Sequence, residues 1–448
     1  MYSEIFEHIL LPMVEWKYSM SVRKHLRELE ETQWWPIDQL QEFQNERLRR
    51  LIIHAYEKVP YYRRIFQKYG LKSADIRSVD DLPRMPVLTK EKIRNNFESM
   101  LSSDFTQRKQ KLDRTGGSTG EPLQFYIDWE AWSMSWACSY LGWRFAGYRF
   151  GDKMATLGGF ALFSDKKEMT FQQRIRLLLD RDLAMSAIHL SDDVMSEYSR
   201  LIERHQPKFI KGYPSAIYIF ASYLKRNGLC PIEPKAVITT AEVLLPRHRE
   251  VIEEVFKCKV FDWYGCSDGG GSALECPQHN GYHVPMQRVV IELVNEEGQP
   301  VRAGEPGRII LTDLFNYSMP FIRYDPGDIG IPDGKTCPCG RGLPLLKSLQ
   351  GRTSDIIRFN NGTTLFGRSF TNILKHFPIL QFQVVQLDME NILIRIVKGN
   401  EYRGEDSNYI IKTMEHHIGR QGSVQLEFVE DIVPTKAGKR LFVISNVS

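Results

Sequence analysis

The 448-residue chain has no long apolar run, no run of like charge and no repeated unit. A helix that spans a bilayer needs ~20 mostly apolar residues. The apolar patch near the N-terminus, Ile9-Leu10-Leu11-Pro12-Met13-Val14, is far shorter. It also lacks a preceding basic stretch and a small-residue cleavage site, so it does not read as a secretory signal. The expectation is a cytoplasmic protein with no transmembrane segment. Charge of one sign is scarce as well: 59 Lys and Arg face 55 Asp and Glu, a net charge of +4. That excludes the basic tracts that bind nucleic acid. Cysteines number seven, at 138, 230, 258, 266, 276, 337 and 339. An odd, sparse set in a large chain argues against a disulfide framework.

Hydrophobic residues at 42% and charged residues at 25% are ordinary for a globular chain. The length favours two domains. Within 21–70, Leu40, Phe43, Leu48, Leu51, Ile52, Ala55 and Tyr56 recur at helical spacing. From 125 to 260 the pattern alternates. Strands are expected at Ile188-His189-Leu190, Phe209-Ile210 and 236–239, and helices over 192–205 and 215–227. That alternation predicts a layered α/β domain. From 282 the texture turns β-rich, with strands over 289–294 and 308–312. A small α+β tail follows, with strands near 381–387, 391–397, 423–429 and 441–445 and a helix near 405–418. The expected division is residues 1–351, a large α/β domain with a β-subdomain, and 352–448, a small α+β domain. Trp132, Trp136 and Trp143 fit one helix face; such a stripe is more often core than a substrate box, and it is left unassigned.

Two motifs point to chemistry directly. Arg114-Thr115-Gly116-Gly117-Ser118-Thr119-Gly120-Glu121-Pro122 is rich in glycine and hydroxyls, ahead of the strand Leu123-Gln124-Phe125-Tyr126. Glycines bring backbone N–H groups close to an anion, and the hydroxyls can donate to phosphate oxygens. The loop lacks the Gly-Lys-Ser/Thr ending of the P-loop. Cys276-Pro277-Gln278-His279 and Cys337-Pro338-Cys339-Gly340 are two short ligand pairs. Cys276, His279, Cys337 and Cys339 form a Cys₃His set that suits structural zinc, with His283 as the alternative imidazole.

Further motifs follow in a fixed order. They are Leu51-Ile52-Ile53-His54-Ala55-Tyr56-Glu57-Lys58-Val59-Pro60-Tyr61-Tyr62-Arg63, Leu82-Pro83-Arg84-Met85-Pro86-Val87-Leu88-Thr89-Lys90, Thr240-Ala241-Glu242, Tyr264-Gly265-Cys266-Ser267-Asp268, Arg323-Tyr324-Asp325-Pro326-Gly327-Asp328, Gly351-Arg352-Thr353-Ser354-Asp355 and Pro434-Thr435-Lys436-Ala437-Gly438-Lys439. With them the chain resembles the acyl-adenylate-forming superfamily, in the branch of phenylacetate–CoA ligases and the CapK-type proteins of capsular polysaccharide loci. The resemblance runs nearly end to end.

It implies a role for each motif. Ser118, Thr119 and Gly120 would close over the ATP phosphates. Ala241 and Glu242 would lie beside adenine and the acyl pocket. Tyr264 and Gly265 would pack on adenine, Ser267 would bind the α-phosphate, and Asp268 would hold Mg²⁺. The family commonly has Thr and Glu at these last two positions; Ser and Asp keep a hydroxyl and a shorter carboxylate. Asp328 would accept from the ribose hydroxyls and Arg352 would lie near ribose or phosphate, with Ser354 or Asp355 as hinge. Lys439, or alternatively Lys436, would be the adenylation lysine. Tyr213, Pro214 and Ser215 would border the acid. Several relatives carry a comparable cysteine cluster. The implied activity is AMP-forming ligation of a carboxylic acid to an acceptor, either coenzyme A or an amine or hydroxyl of a sugar. Monomer and homodimer both stay open.

Overall fold

The structure is a computed structural model that describes residues 2–115, 122–158, 181–360, 364–366, 370, 373–374, 376–418, 423–435, 438–445 and 447. Ser118, Thr119, Gly120 and Lys436 lie outside the described residues. Two compact units interleave along the chain. The first comprises Met1–Asp152, Leu179–Arg181 and Phe261–Leu349; the second comprises Lys153–Leu178, Asp182–Val260 and Gln350–Ser448.

In the first unit the helix Ile37–Lys58 buries Leu40, Leu48, Leu51, Ile52 and Ala55, the positions at helical spacing. Extended Val59 ends it, and the next helix, Pro60–Lys68, opens on proline, whose missing N–H is no loss in a first turn. Tyr61, Tyr62 and Phe66 carry its buried face. The hairpin Gln110–Arg114 and Gln124–Asp128 is antiparallel, with Arg114 opposite Gln124, and so brackets the glycine-rich segment. The helix Trp129–Phe145 follows, and its tryptophans meet edge-on, Trp132 with Trp136 and Trp136 with Trp143. Trp143 is buried, and Trp132 and Trp136 are half-buried.

The sheet of this unit runs, in spatial order, Val289–Val294, Gly307–Asp313, Asp328–Pro332, Leu345–Arg352, Tyr282–His283, Gly271–Glu275 and Lys259–Cys266. Gln44 locks the long helix to it by donating to the carbonyls of Met286 (3.0 Å) and Val289 (2.9 Å). Behind the sheet, Arg288 grips Asp313 through two hydrogen bonds of 2.7 and 3.0 Å. Their side chains are 1% and 2% exposed, so neither charge has water to fall back on.

The second unit holds two four-stranded arrays and the short antiparallel pair Ile356–Arg358 with Thr364–Phe366. The first orders Ala236–Thr240, Phe209–Gly212, Met154–Gly158 and Asp182–Ser186, with parallel pairing. Helices Asp192–His205, Pro214–Arg226 and Pro246–Phe256 alternate with its strands, as a layered α/β pattern requires. The second orders Ser423–Phe428, Asn391–Lys398, Ile379–Gln386 and Val443–Ser445. Helix Gly404–Ile418 contributes Ile410, Met414 and Ile418 to its core.

One expected strand is displaced. Residues 188–190 are not a strand; the strand is Asp182–Ser186, in register with Met154–Gly158. The Ser186 hydroxyl accepts from the Ile188 amide (3.3 Å), and Ser191 caps the next helix. Residues 187–190 are therefore spent on the turn into a helix start.

Arg288→Ala leaves Asp313 buried with its cation gone. The expected cost is about 3–5 kcal/mol, against less than about 0.5 kcal/mol for Arg49→Ala on the surface, read from urea unfolding midpoints.

Candidate functional site

In the first unit, the strand Lys259–Cys266 presents Tyr264 and then turns back through Ser267–Gly270 into Gly271–Glu275, with Tyr264 opposite Ala273. The turn needs its glycines. Gly270 has φ +67°, and a Cβ on Gly271 would stand 2.9 Å from Leu311 and 3.2 Å from the Tyr264 ring. The turn directs Asp268 inward, 8% exposed, while Gly265 and Ser267 face solvent. The phenol of Tyr324 donates to Asp268 Oδ2 (2.5 Å), and the Cys266 thiol donates to Asp268 Oδ1 (3.0 Å).

Asp328 opens the strand Asp328–Pro332 after Gly327, whose φ is +86°. The Tyr264 hydroxyl donates to Asp328 Oδ2 at 2.8 Å across 64 residues of chain. The two acids and the aromatic that the motifs single out thus belong to one connected cluster. Burial, followed by the charges of Asp328 and its neighbours, holds the Tyr264 phenol well above its ordinary range. Burial and Asp268 do the same to Tyr324. Both phenols stay protonated and can only donate to these carboxylates. Asp328 is half-buried, while Asp268 and Tyr264 are buried.

A second cluster in this unit joins Cys276, His283, Cys337 and Cys339, whose ligand atoms all lie within 4.8 Å of one another. The Cys276 and Cys337 sulfurs are 3.6 Å apart, and Cys339 Sγ is 3.4 Å from His283 Nε2. A tetrahedral ion with Zn–S bonds of about 2.3 Å spaces its sulfurs about 3.8 Å apart, so the donors fit zinc. Burial and the Arg341 charge push His283 down to about 4, which keeps the ring neutral. Burial pushes the Cys276 thiol up to about 12, so its thiolate needs a cation beside it.

His279 is not in this cluster; His283 takes the position expected of it. The His279 backbone sits at φ +52° and its amide donates back to the Cys276 carbonyl (2.9 Å). That closed turn sends the ring to Glu275, 3.3 Å from Nδ1, and against Phe261. His283 instead lies on a strand paired with Leu345 and is fully buried.

The remaining predicted residues lie in the second unit. Tyr213 and Pro214 start the helix Pro214–Arg226, and Ser215 is buried in its first turn. Glu242 Oε2 accepts from the Ser215 amide (3.1 Å), and Oε1 accepts from the Arg440 amide (2.9 Å). Lys439 places its ammonium 6.0 Å from the centre of the Tyr213 ring. Ala241, at φ +71°, makes the turn that aims Glu242. Arg352 begins a tight turn whose amide donates to Asp355 Oδ2 (2.8 Å), and Ser354 donates to the same carboxylate (3.2 Å). Sequence reasoning missed Tyr324, Cys266 and Arg440 as partners. The first two sit inside quoted motifs, and Arg440 directly follows one.

Comparison with known proteins places these features. A family model described as the CapK C-terminal domain matches residues 359–446. The protein CapK of Staphylococcus aureus is 26% identical, over 91% of this chain and 89% of its own. A phenylacetate-coenzyme A ligase of Thermus thermophilus is also 26% identical, over 78% and 79%. A crystal structure of 2-hydroxyisobutyryl-CoA ligase, in the postadenylation state with an acyl-AMP, superposes with a TM-score of 0.74 at 19% identity, covering 92% of this chain and 90% of that one. The fold is that of adenylate-forming CoA ligases. Over most of its length the chain is similar to CapK and to the phenylacetate-coenzyme A ligases.

Tyr264→Phe removes the donor to Asp328 and nothing else of comparable size. A hydrogen bond to a carboxylate of this kind contributes about 1.5–3 kcal/mol, and chemical unfolding of the variant should show a loss in that range.

Proposed function

We propose that this chain is an ATP-dependent, AMP-forming ligase that acts on a carboxylic acid and hands the acyl group to an amine or hydroxyl acceptor in surface-polysaccharide assembly. The observation that carries this reading is the Tyr264–Asp328 hydrogen bond, which joins two motifs that the resemblance assigns to one nucleotide seat. The polysaccharide acceptor rests on the likeness to CapK over nearly the whole chain. The second reading, coenzyme A as acceptor, rests on the relatives named phenylacetate-coenzyme A ligases. No helix among the described residues is long and apolar enough to cross a membrane, and the proposed setting is the cytoplasm.

In this reading a carboxylate oxygen bonds to the α-phosphorus of ATP, and the bond to the bridging oxygen breaks to release pyrophosphate. The acceptor then attacks the acyl carbon, and AMP departs. Asp328 accepts from ribose, and Tyr264 both packs on adenine and fixes that carboxylate. Ser118, Thr119 and Gly120 donate to phosphate oxygens, and Ser267, exposed on its turn, donates to the α-phosphate. Lys439 brings a compact cation on a long stem to the oxygens where charge develops. Asp268 is the residue to hold Mg²⁺, which offsets phosphate charge when bound. With both Asp268 oxygens already engaged by Tyr324 and Cys266, that hold would run through water. Gly351–Asp355 is the proposed hinge and 352–448 the mobile domain that carries Lys439.

Incubating the protein with ATP, Mg²⁺ and a panel of aryl, hydroxy, amino and sugar acids, with and without coenzyme A, should release pyrophosphate with at least one acid. Lys439→Ala and Asp328→Ala should each lower that rate by about 100-fold or more. Silence across the panel, from folded protein whose melting temperature ATP does not move, would sink the reading. Metal analysis should find about one zinc per chain, lost in Cys337→Ser and His283→Ala and kept in His279→Ala. Less than about a tenth of that zinc in the parent protein would remove the metal site.

A further inference from the structure

We infer that Glu242 is a positioning residue that tethers the lysine-bearing loop to the start of the helix Pro214–Arg226, rather than a nucleotide contact. The inference rests on the ligase reading for the role of Lys439. Glu242 touches two elements with its two oxygens. Oε2 takes the Ser215 amide, one of the first-turn N–H groups that have no partner within a helix. Oε1 takes the amide of Arg440, the residue bonded to Lys439. A carboxylate at a helix start also meets the positive end of the helix dipole.

The loop is built to receive this grip. Thr435 accepts through Oγ1 from the Lys439 amide (3.2 Å), and its own amide donates to the Lys439 carbonyl (2.8 Å). Gly438, at φ +79°, closes that turn. Arg440 is 3% exposed, and its guanidinium reaches the carbonyls of Ile432 (3.1 Å) and Ala187 (3.3 Å). Lys439 is thus fixed on both sides, by a turn before it and a buried arginine after it. Glu242 supplies the link that relates this fixture to Tyr213 and Ser215, the residues proposed to border the acid. Its position in turn depends on Ala241, whose left-handed backbone turns the chain after the strand Ala236–Thr240.

A tether differs from a ligand contact in what its loss changes. Without Glu242, ATP keeps its own contacts, while the lysine spends less time where charge develops. The signature is a fall in kcat with the ATP Kd and KM held. Two variants separate the possibilities. Glu242→Ala removes both acceptors; Glu242→Gln keeps the shape and one acceptor oxygen.

Hydrogen–deuterium exchange at the Arg440 amide reads the tether with no substrate present. Exchange should quicken at least about tenfold in Glu242→Ala, and less in Glu242→Gln. ATP affinity, measured calorimetrically, should stay within about threefold of the parent in both. With an acid accepted in the pyrophosphate screen, kcat should fall in the order parent, Gln, Ala at constant KM for ATP. Unchanged exchange at Arg440 in Glu242→Ala overturns the inference. So does a tenfold loss of ATP affinity at constant exchange, on the order of 1.4 kcal/mol, because that marks a nucleotide contact. Should the alanine variant not fold, the near-isosteric glutamine variant carries the same comparison. A parent protein that neither binds ATP nor releases pyrophosphate ends the ligase reading, while exchange at Arg440 still decides the tether by itself.

Discussion

A carboxylate taken out of water has to be given donors, and that constraint organises both units of this protein. An unpaired buried charge costs far more than any single contact returns. Asp313 is answered by Arg288, and Glu292 by Arg323, whose guanidinium also reaches the Met85 carbonyl. Asp128 is answered by the amides of Tyr317 and Ser318 and by the Ser318 hydroxyl. Each of these solutions ties a distant stretch of chain to the residue that needed it. The hairpin around the glycine-rich loop is anchored at its far end in this way, through Asp128.

The donors differ in kind, and the difference separates framework from chemistry. Asp313 and Glu292 are met by guanidinium groups that neutralise them. Asp268 is held by a phenol and a thiol, and Asp328 receives a phenol. Those donors supply direction without positive charge. Their carboxylates are fixed in space, as the proposed contacts to ribose hydroxyls and a hydrated cation require. Glu242 is a third solution. It is satisfied by backbone amides, so its geometry depends on where two chain segments run and not on any side chain that could be exchanged. Burial raises its affinity for a proton, while the two amides and the nearby Lys439 charge oppose that shift.

Much of this was legible in the sequence because the chemistry is carried by short contiguous motifs. The helix face of Leu40 to Ala55 and the shared helix face of the tryptophans follow from spacing alone, while the order of the motifs carries the resemblance. What spacing cannot report is the pairing across the fold. Tyr324 and Cys266 were in plain view, yet their target, Asp268, becomes evident only once the strand returns through Gly269–Gly271. The choice between His279 and His283 had the same origin. His279, three positions after Cys276, looks like half of a ligand pair, but a backbone turn between them sends the ring elsewhere. A strand position seven residues on delivers the right ring. The strand expected at 188–190 failed because a short apolar triplet reads alike as a strand and as the approach to a helix cap.

Backbone strain marks the same places independently. Seven non-glycine residues among those described have positive φ. Ser19, Gln206 and Lys257 are helix C-caps, where a left-handed residue is the ordinary way to satisfy the last carbonyls. His279 closes the turn beside the thiol cluster. Arg323 precedes Tyr324 and is pinned by Glu292 and by the carbonyls of Pro83 and Met85. Ala241 precedes Glu242. A left-handed L-residue costs roughly 1–2 kcal/mol, and glycine would avoid that cost. Strain of this size persists where surrounding bonds over-determine the conformation. At 241 those bonds are the two amides that Glu242 collects. The strained alanine is therefore best understood as the cost of aiming one carboxylate at a helix start and a lysine loop at once, and relief of that strain is worth little if the aim is lost.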